Sequence, residues 1–231
     1  MMLESMWNLK KLEYFFFILV GIFVAMGVYY SNVDKVFYEG TYVREDGLIE
    51  WLTVLALFMG AMVCFYRSYI LKPFRGSFFS ACLILLGCVF LFGTLEEISY
   101  GQRILGFKSP AFFMQYNSQG EFNLHNLKFD GKSVNRILFG SILGLFVVFY
   151  FLVMPFLYIK KGRVKKLIDQ YAIPVPKLFH IVAYLLLAIA VKLIDSPKKG
   201  EILEFGGCWI FLLMNFHPLN MEIFSRRTLE R

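Results

Sequence analysis

FFSACLILLGCVFLFGTLEE, from Phe78 to Glu97, decides the fold: an apolar stretch without a charge until it closes on two adjacent carboxylates, Glu96 and Glu97. An apolar run of that length is what a helix needs to cross a bilayer. The residues that follow to Leu127, ISYGQRILGFKSPAFFMQYNSQGEFNLHNL, carry Ser99, Gln102, Arg103, Asn117, Gln119, Glu121, Asn123, His125 and Asn126. That is more hydrogen-bonding and ionisable chemistry than a connection between two spans requires. The rest of the chain is mostly hydrocarbon.

Across 231 residues, 58% are hydrophobic, 19% aromatic and only 18% charged, with mean hydropathy +0.60. This composition excludes an ordinary soluble domain and gives an all-α integral membrane protein in which the bilayer is the first partner. The net charge of +7 does not point to nucleic acid, because the basic residues cluster between apolar runs, as in cytoplasmic loops. Cys64, Cys82, Cys88 and Cys208 fall inside apolar runs without CxxC spacing, so they read as packing residues.

Working outward, apolar runs predict six spans, at about 12–30, 47–66, 77–97, 137–158, 178–194 and 202–216. Together they form one polytopic domain over residues 1–231. The first run lacks a small-residue cleavage site before the polar loop and reads as a retained anchor. Gly140 and Gly144 in the fourth run have the spacing that lets helices approach closely. Lys10 and Lys11, the loop at Arg67, Lys72 and Arg75, the loop from Lys160 to Lys177, and the tail with Arg226 and Arg227 fall on one side. The positive-inside rule makes that side cytoplasmic, which gives a multi-pass inner-membrane protein with both termini inside and a polar loop, 98–136, outside.

In that arrangement Glu50, Glu96, Glu97, Lys192 and Glu204 all lie at the outer ends of spans. A charge at bilayer depth costs roughly 2.5–3.5 kcal/mol and less near the interface, so several at one level are paired or line a wet cavity. Glu96, Ser99 and Arg103 share one helical face if the helix continues through Gly101, and Glu121 with His125 would sit side by side on a helical turn. Ser109 and Pro110 have the types of an N-cap and first helical residue, opening a short interfacial helix. The loop is expected to cover the outer surface as a lid.

Two chemistries and one plain reading fit these residues. Glu96, Glu121 and His125, with Glu50 or Glu204, form a carboxylate-rich set with one imidazole, suited to a divalent Mn, Fe, Mg or Zn ion that polarises a carbonyl or phosphoryl oxygen or activates water. Without a metal, Glu96, Glu97, Glu121 and His125 are the acid/base candidates. Arg103 is the expected contact for an anionic headgroup, and Gln102, Asn117, Gln119, Asn123 and Asn126 are the expected substrate-binding amides. In the plain reading Glu96 or Glu97 pairs with Arg103, Glu50 pairs with Lys192, and the amides are turn residues. His180 and His217 fall at cytoplasmic span ends and read as interfacial residues.

The strings EEISYGQRILGF and NSQGEFNLHNL resemble a paired signature, EEISxGQR followed by NxQxExNLHN, of a family of uncharacterised bacterial multi-pass membrane proteins. The resemblance marks the same polar residues without assigning roles. The HxxxH pair of the seven-span alkaline ceramidases is absent, as are a Walker loop, a dinucleotide fingerprint and a GxSxG elbow. The expected function is an enzyme acting on a lipid or lipid-linked envelope substrate at the outer face. A transporter or channel component using the same carboxylates, and an assembly subunit without catalysis, are the alternatives.

Overall fold

The computed structural model describes residues 10–129, 132–133 and 143–226. Helix α1, Lys11–Val33, opens where the Lys10 backbone N–H donates to Glu13 Oε2 at 2.7 Å, half of a capping box. It closes at Asp34, whose side chain accepts from the Phe37 N–H. The short turns that follow fold back so that the Tyr42 hydroxyl donates to the Phe23 carbonyl at 2.6 Å. Tyr42 is thereby buried against α1.

Helix α2, Leu48–Glu97, is 50 residues long and reverses direction at Gly76, where φ is 81° and ψ is 176°. Only glycine takes that backbone conformation at low cost. The two arms, 48–75 and 77–97, pack antiparallel: the Ser68 and Ser80 hydroxyls each donate to the other's carbonyl, at 3.0 and 3.2 Å. Closer to the arm ends, Gly60 lies under the Phe90 ring and Gly87 under Phe65, with no room for a side chain at either glycine. The basic loop expected to begin at Arg67 is therefore helix as far as residue 75, and the turn is confined to Gly76.

After α2 come two short helices, α3 (Gln102–Leu105) and α4 (Ala111–Tyr116), and a two-residue antiparallel ladder between β1 (Lys128–Phe129) and β2 (Lys132–Ser133). Helix α5, Leu143–Lys160, is widened by a π-helical turn at Phe149–Val153, just ahead of Pro155. The expected span start at 137–142, and Gly140 with it, lie outside the described residues; Gly144 has open space around it and brings no helix close. Helix α6, Gly162–Gln170, is built from the basic stretch that read as a loop, and it buries Ile168. Helices α7 (Leu178–Lys192) and α8 (Lys199–Phe216) complete the fold.

The chain is thus helical, and α1, α2 and α5 are long and apolar enough to cross a membrane. Their outward side chains, among them Leu12, Ile18, Leu85 and Leu145, are exposed hydrocarbon. That is what a lipid environment leaves uncovered.

The most buried element is α8. It packs against α1, α2 and α7, burying Ile202, Phe205, Gly206, Trp209, Ile210, Leu212 and Leu213. Its last carbonyls, orphaned at a helix C-terminus, are taken by Arg67: the guanidinium donates to Asn215 O and, at 2.9 Å, to Phe216 O, and lies over the Phe224 ring. A cation there also meets the negative end of the helix dipole. Nearby, His217 Nδ1 lies 2.9 Å from Lys177 Nζ and 3.2 Å from Glu13 Oε2, and His180 is fully buried. His180 is buried and His217 half-buried, both at helix ends. Of the cysteines, Cys64 is buried against Asn215, whereas Cys88 is exposed on the helix surface.

Arg67→Met removes the donors that terminate α8 and strands its carbonyls in an apolar site. We expect a loss of about 2–4 kcal/mol, read as a lower unfolding temperature of the detergent-solubilised protein.

Candidate functional site

The connections between helices bring three helix ends together at the end of the bundle opposite Arg67. The N-termini of α2 and α8 bring Glu50, Glu201 and Glu204, and the C-terminus of α2 brings Glu96 and Glu97. Glu50 and Glu201 stand in first turns and gain from the positive ends of their helix dipoles; Glu204 lies a turn further in, and Glu96 and Glu97 stand at a negative end and need other compensation.

Chain reversal after α2 is abrupt. Ser99, Tyr100 and Gly101 have φ of 47°, 54° and 77°, three consecutive left-handed residues of which only the last is glycine. Such positions cost on the order of 1–3 kcal/mol each and persist when side chains hold them. Here the Ser99 hydroxyl donates to Glu121 Oε2 at 2.8 Å and accepts from Asn123 Nδ2 at 2.9 Å. Tyr100 is hydrogen-bonded to Glu96, and burial together with that carboxylate raises its hydroxyl to about 12. The helix therefore does not run through Gly101, and Glu96, Ser99 and Arg103 do not share a helical face.

Glu96 is buried and anchors the loop. Its Oε2 accepts the backbone N–H of Leu124 at 2.8 Å and of His125 at 3.0 Å, and lies 3.4 Å from His125 Nδ1. Glu121 is equally committed: Oε1 to Arg103, Oε2 to Ser99 and to Asn123 Nδ2 at 3.0 Å. Residues 121–125 are not helical, so Glu121 and His125 face different partners. Arg103 pairs with Asp46 and Glu121 and reaches Glu45 at 3.4 Å. Arg103, the expected contact for an anionic headgroup, is thus held by three carboxylates.

The amides divide in the same way. Asn117 Nδ2 donates to Asn123 Oδ1 and O, its Oδ1 accepts from the Gln119 and Glu121 N–H groups, and Gln102 Oε1 accepts from Phe122 N at 2.7 Å. Gln102, Asn117 and Asn123 shape the loop. Gln119 and Asn126 bond each other, and Gln119 also bonds Glu45. The Ser109 hydroxyl, expected as an N-cap, instead donates to Gly120 O at 2.6 Å and to Gln102 Oε1, and Pro110 occupies the cap position of α4.

These contacts enclose a cavity of ≈ 50 Å³ lined by Glu45, Glu50, Glu97, Arg103, Gln119, Glu121, Asn123, His125, Asn126, Glu201 and Glu204. Glu50 accepts the Asp46 N–H at 2.9 Å, and among the described residues it makes no ion pair with Lys192. Glu97, Glu201 and Glu204 differ from the other carboxylates: each is half-buried, lines the cavity, and has no hydrogen-bond or ion-pair partner among the described residues. The sequence places Glu201 one helical turn before Glu204, but only Glu97 and Glu204 were candidate site residues there. Among the described residues no three His, Cys, Asp or Glu side chains are arranged to hold a metal ion together. The expected ligand set, Glu50, Glu96, Glu121, His125 and Glu204, is divided because Glu96 and Glu121 face the loop's own donors.

His125 lines the cavity with Nδ1 on Glu96, which leaves Nε2 for a bound molecule. Burial pulls its imidazole down, but the Glu96 hydrogen bond and the charges of Glu204, Glu96 and Glu201 outweigh burial and raise it above the ordinary 6.5. A histidine raised on folding contributes stability that is complete below the unfolded value and is lost as pH rises through the folded value. Loop docking is therefore expected to weaken as pH rises above 6.5. Amide exchange at residues 121–127 between pH 5.5 and 8.5 reads this, and His125→Gln removes the dependence.

The chain matches no family model, no curated protein and no solved structure.

Proposed function

We propose that the chain is a six-span inner-membrane enzyme with both termini cytoplasmic, acting at the outer face on a lipid or lipid-linked envelope substrate by acid/base hydrolysis or transfer. In this reading the six spans are α1, the two arms of α2, α5, α7 and α8; the length and apolarity of α1, α2 and α5 support it. Lys10, Lys11, Lys72, Arg75, Lys160 and Lys161 gather at one end, which supports a cytoplasmic assignment of that end. The acidic cavity then belongs at the opposite interface, at headgroup level rather than at the bilayer midplane.

One observation carries the proposal. Glu96, through Oε2, and Glu121 are engaged by the loop, whereas Glu97, Glu201, Glu204 and the Nε2 of His125 converge on the cavity without a partner among the described residues. Half-buried polar groups that the fold leaves unsatisfied are available to a ligand.

In hydrolysis, His125 Nε2 takes a proton from water as the water oxygen bonds to a carbonyl or phosphoryl centre, with Glu96 steadying the imidazolium through Nδ1. A protonated carboxyl from the Glu97, Glu201 and Glu204 group gives its proton to the departing oxygen, so the products are an acid and an alcohol. Exchange with solvent returns the His125 proton to that carboxylate. In transfer, an acceptor hydroxyl replaces the water. The small cavity admits the reacting group alone, and the remainder of a lipid substrate stays in the membrane.

The test is to incubate purified protein in nanodiscs with a bacterial envelope lipid extract, including lipid-linked precursors, and to follow products by mass spectrometry. Wild type is expected to produce species differing by one water or one transferred group. Glu97→Gln and His125→Ala each lower the rate about 100-fold or more. Turnover unchanged in both variants, or no product from any envelope lipid, sinks the reading.

A further inference from the structure

Away from the acidic end, a groove of ≈ 650 Å³ runs between α1 and α7. Its walls include Tyr14, Gly21, Ala25 and Val28 on one side and Ala183 and Ala190 on the other, and Ile210 of α8 also lines it. From Tyr14 to Val28 it extends roughly 21 Å along α1. One leaflet contributes about 15 Å of hydrocarbon to the bilayer core, so the groove accommodates an extended acyl chain along its length.

Its shape follows from small residues. Nothing approaches within 4 Å of where a Cβ on Gly21 would stand, and Ala25, one turn on, is exposed. The groove has definite ends. At the acidic end Asn32 Nδ2 donates to Leu193 O at 3.0 Å and draws α1 and α7 together. Toward the other end, one turn inside Tyr14, Phe17 and Phe179 line the groove and pack edge-on against each other. Next to that second end, Lys10 and Lys11 are exposed, within one turn of Tyr14.

We infer that this groove holds one acyl chain of an anionic phospholipid, its phosphate against Lys10 and Lys11 and the Tyr14 hydroxyl. The charge complementarity decides the occupant: lysines at a helix end attract anionic headgroups, and the lining behind them offers a chain of methylenes no hydrogen-bonding demand. The inference uses only the membrane-crossing character of α1 and is independent of the chemistry at the acidic cavity.

The experiment delipidates the protein in detergent, adds mixed micelles of phosphatidylglycerol and phosphatidylethanolamine in equal amounts, and reads bound lipid by native mass spectrometry. Wild type is expected to retain one phospholipid, with phosphatidylglycerol preferred. Gly21→Leu with Ala25→Leu fills the groove and lowers retention about tenfold, with an unfolding temperature no lower than wild type because leucine replaces glycine within a helix. Lys10→Gln with Lys11→Gln keeps a lipid but loses the preference. Retention unchanged in the filled variant, retention without headgroup preference in wild type, or a filled variant whose only change is loss of a dimer would each overturn the assignment.

Discussion

Glu96 occupies the worst place for a carboxylate on a helix, its C-terminal turn, where the dipole opposes it. What compensates it is the loop, acting on Oε2: two backbone N–H groups and the His125 ring. The dependence is mutual. Without Glu96 the N–H groups of Leu124 and His125 have no acceptor, the segment from Ser99 to Leu127 loses its attachment to α2, and the cavity loses its cover. Glu121 repeats the device at a second point, drawing Arg103, Ser99 and Asn123 onto one carboxylate. The left-handed run at Ser99, Tyr100 and Gly101 is held because Ser99 joins the Glu121 anchor and Tyr100 lies beside Glu96.

Seen this way, the carboxylates at the acidic end are of two kinds. Glu96 and Glu121 anchor the loop, and Arg103, at the cavity's edge, pairs with Asp46, Glu45 and Glu121. Glu97, Glu201 and Glu204 remain crowded around ≈ 50 Å³ with the N-terminal dipole of α8 as partial relief. That crowding, with no contact of the fold to account for it, is what makes these three carboxylates the candidates for the proposed chemistry. At the opposite end of the bundle charge is used differently. There Arg67 terminates the buried helix α8, and Glu13, Lys177 and His217 tie α1, α7 and the end of α8 together.

Hydropathy made the helical character legible because a run such as Phe78–Phe92 has no alternative to a lipid-facing or buried helix. It misjudged Arg67 and the 162–170 stretch, where charged residues read as loop. A cation that finds helix-end carbonyls is indistinguishable in sequence from one facing water, and α6 is amphipathic rather than apolar. The site was legible in composition and not in roles. Glu96, Glu97, Glu121 and His125 stood out, but which carboxylate is saturated depends on a chain reversal through three positive-φ residues, and two of those, Ser99 and Tyr100, give no glycine signal. The helical faces drawn through Gly101 and from Glu121 to His125 failed for that reason.

The most direct measurement is the unfolding temperature of four single variants at pH 7 in one detergent: Glu96→Gln, Glu121→Gln, Glu97→Gln and Glu204→Gln. If two carboxylates build the loop and the others are held for a ligand, the first two variants melt well below wild type. Glu97→Gln and Glu204→Gln then melt at or above it, because each removes charge from a crowded site without breaking a contact. Four comparable losses would contradict the account, since Glu97 and Glu204 would then be structural and the cavity would have no group set aside for chemistry.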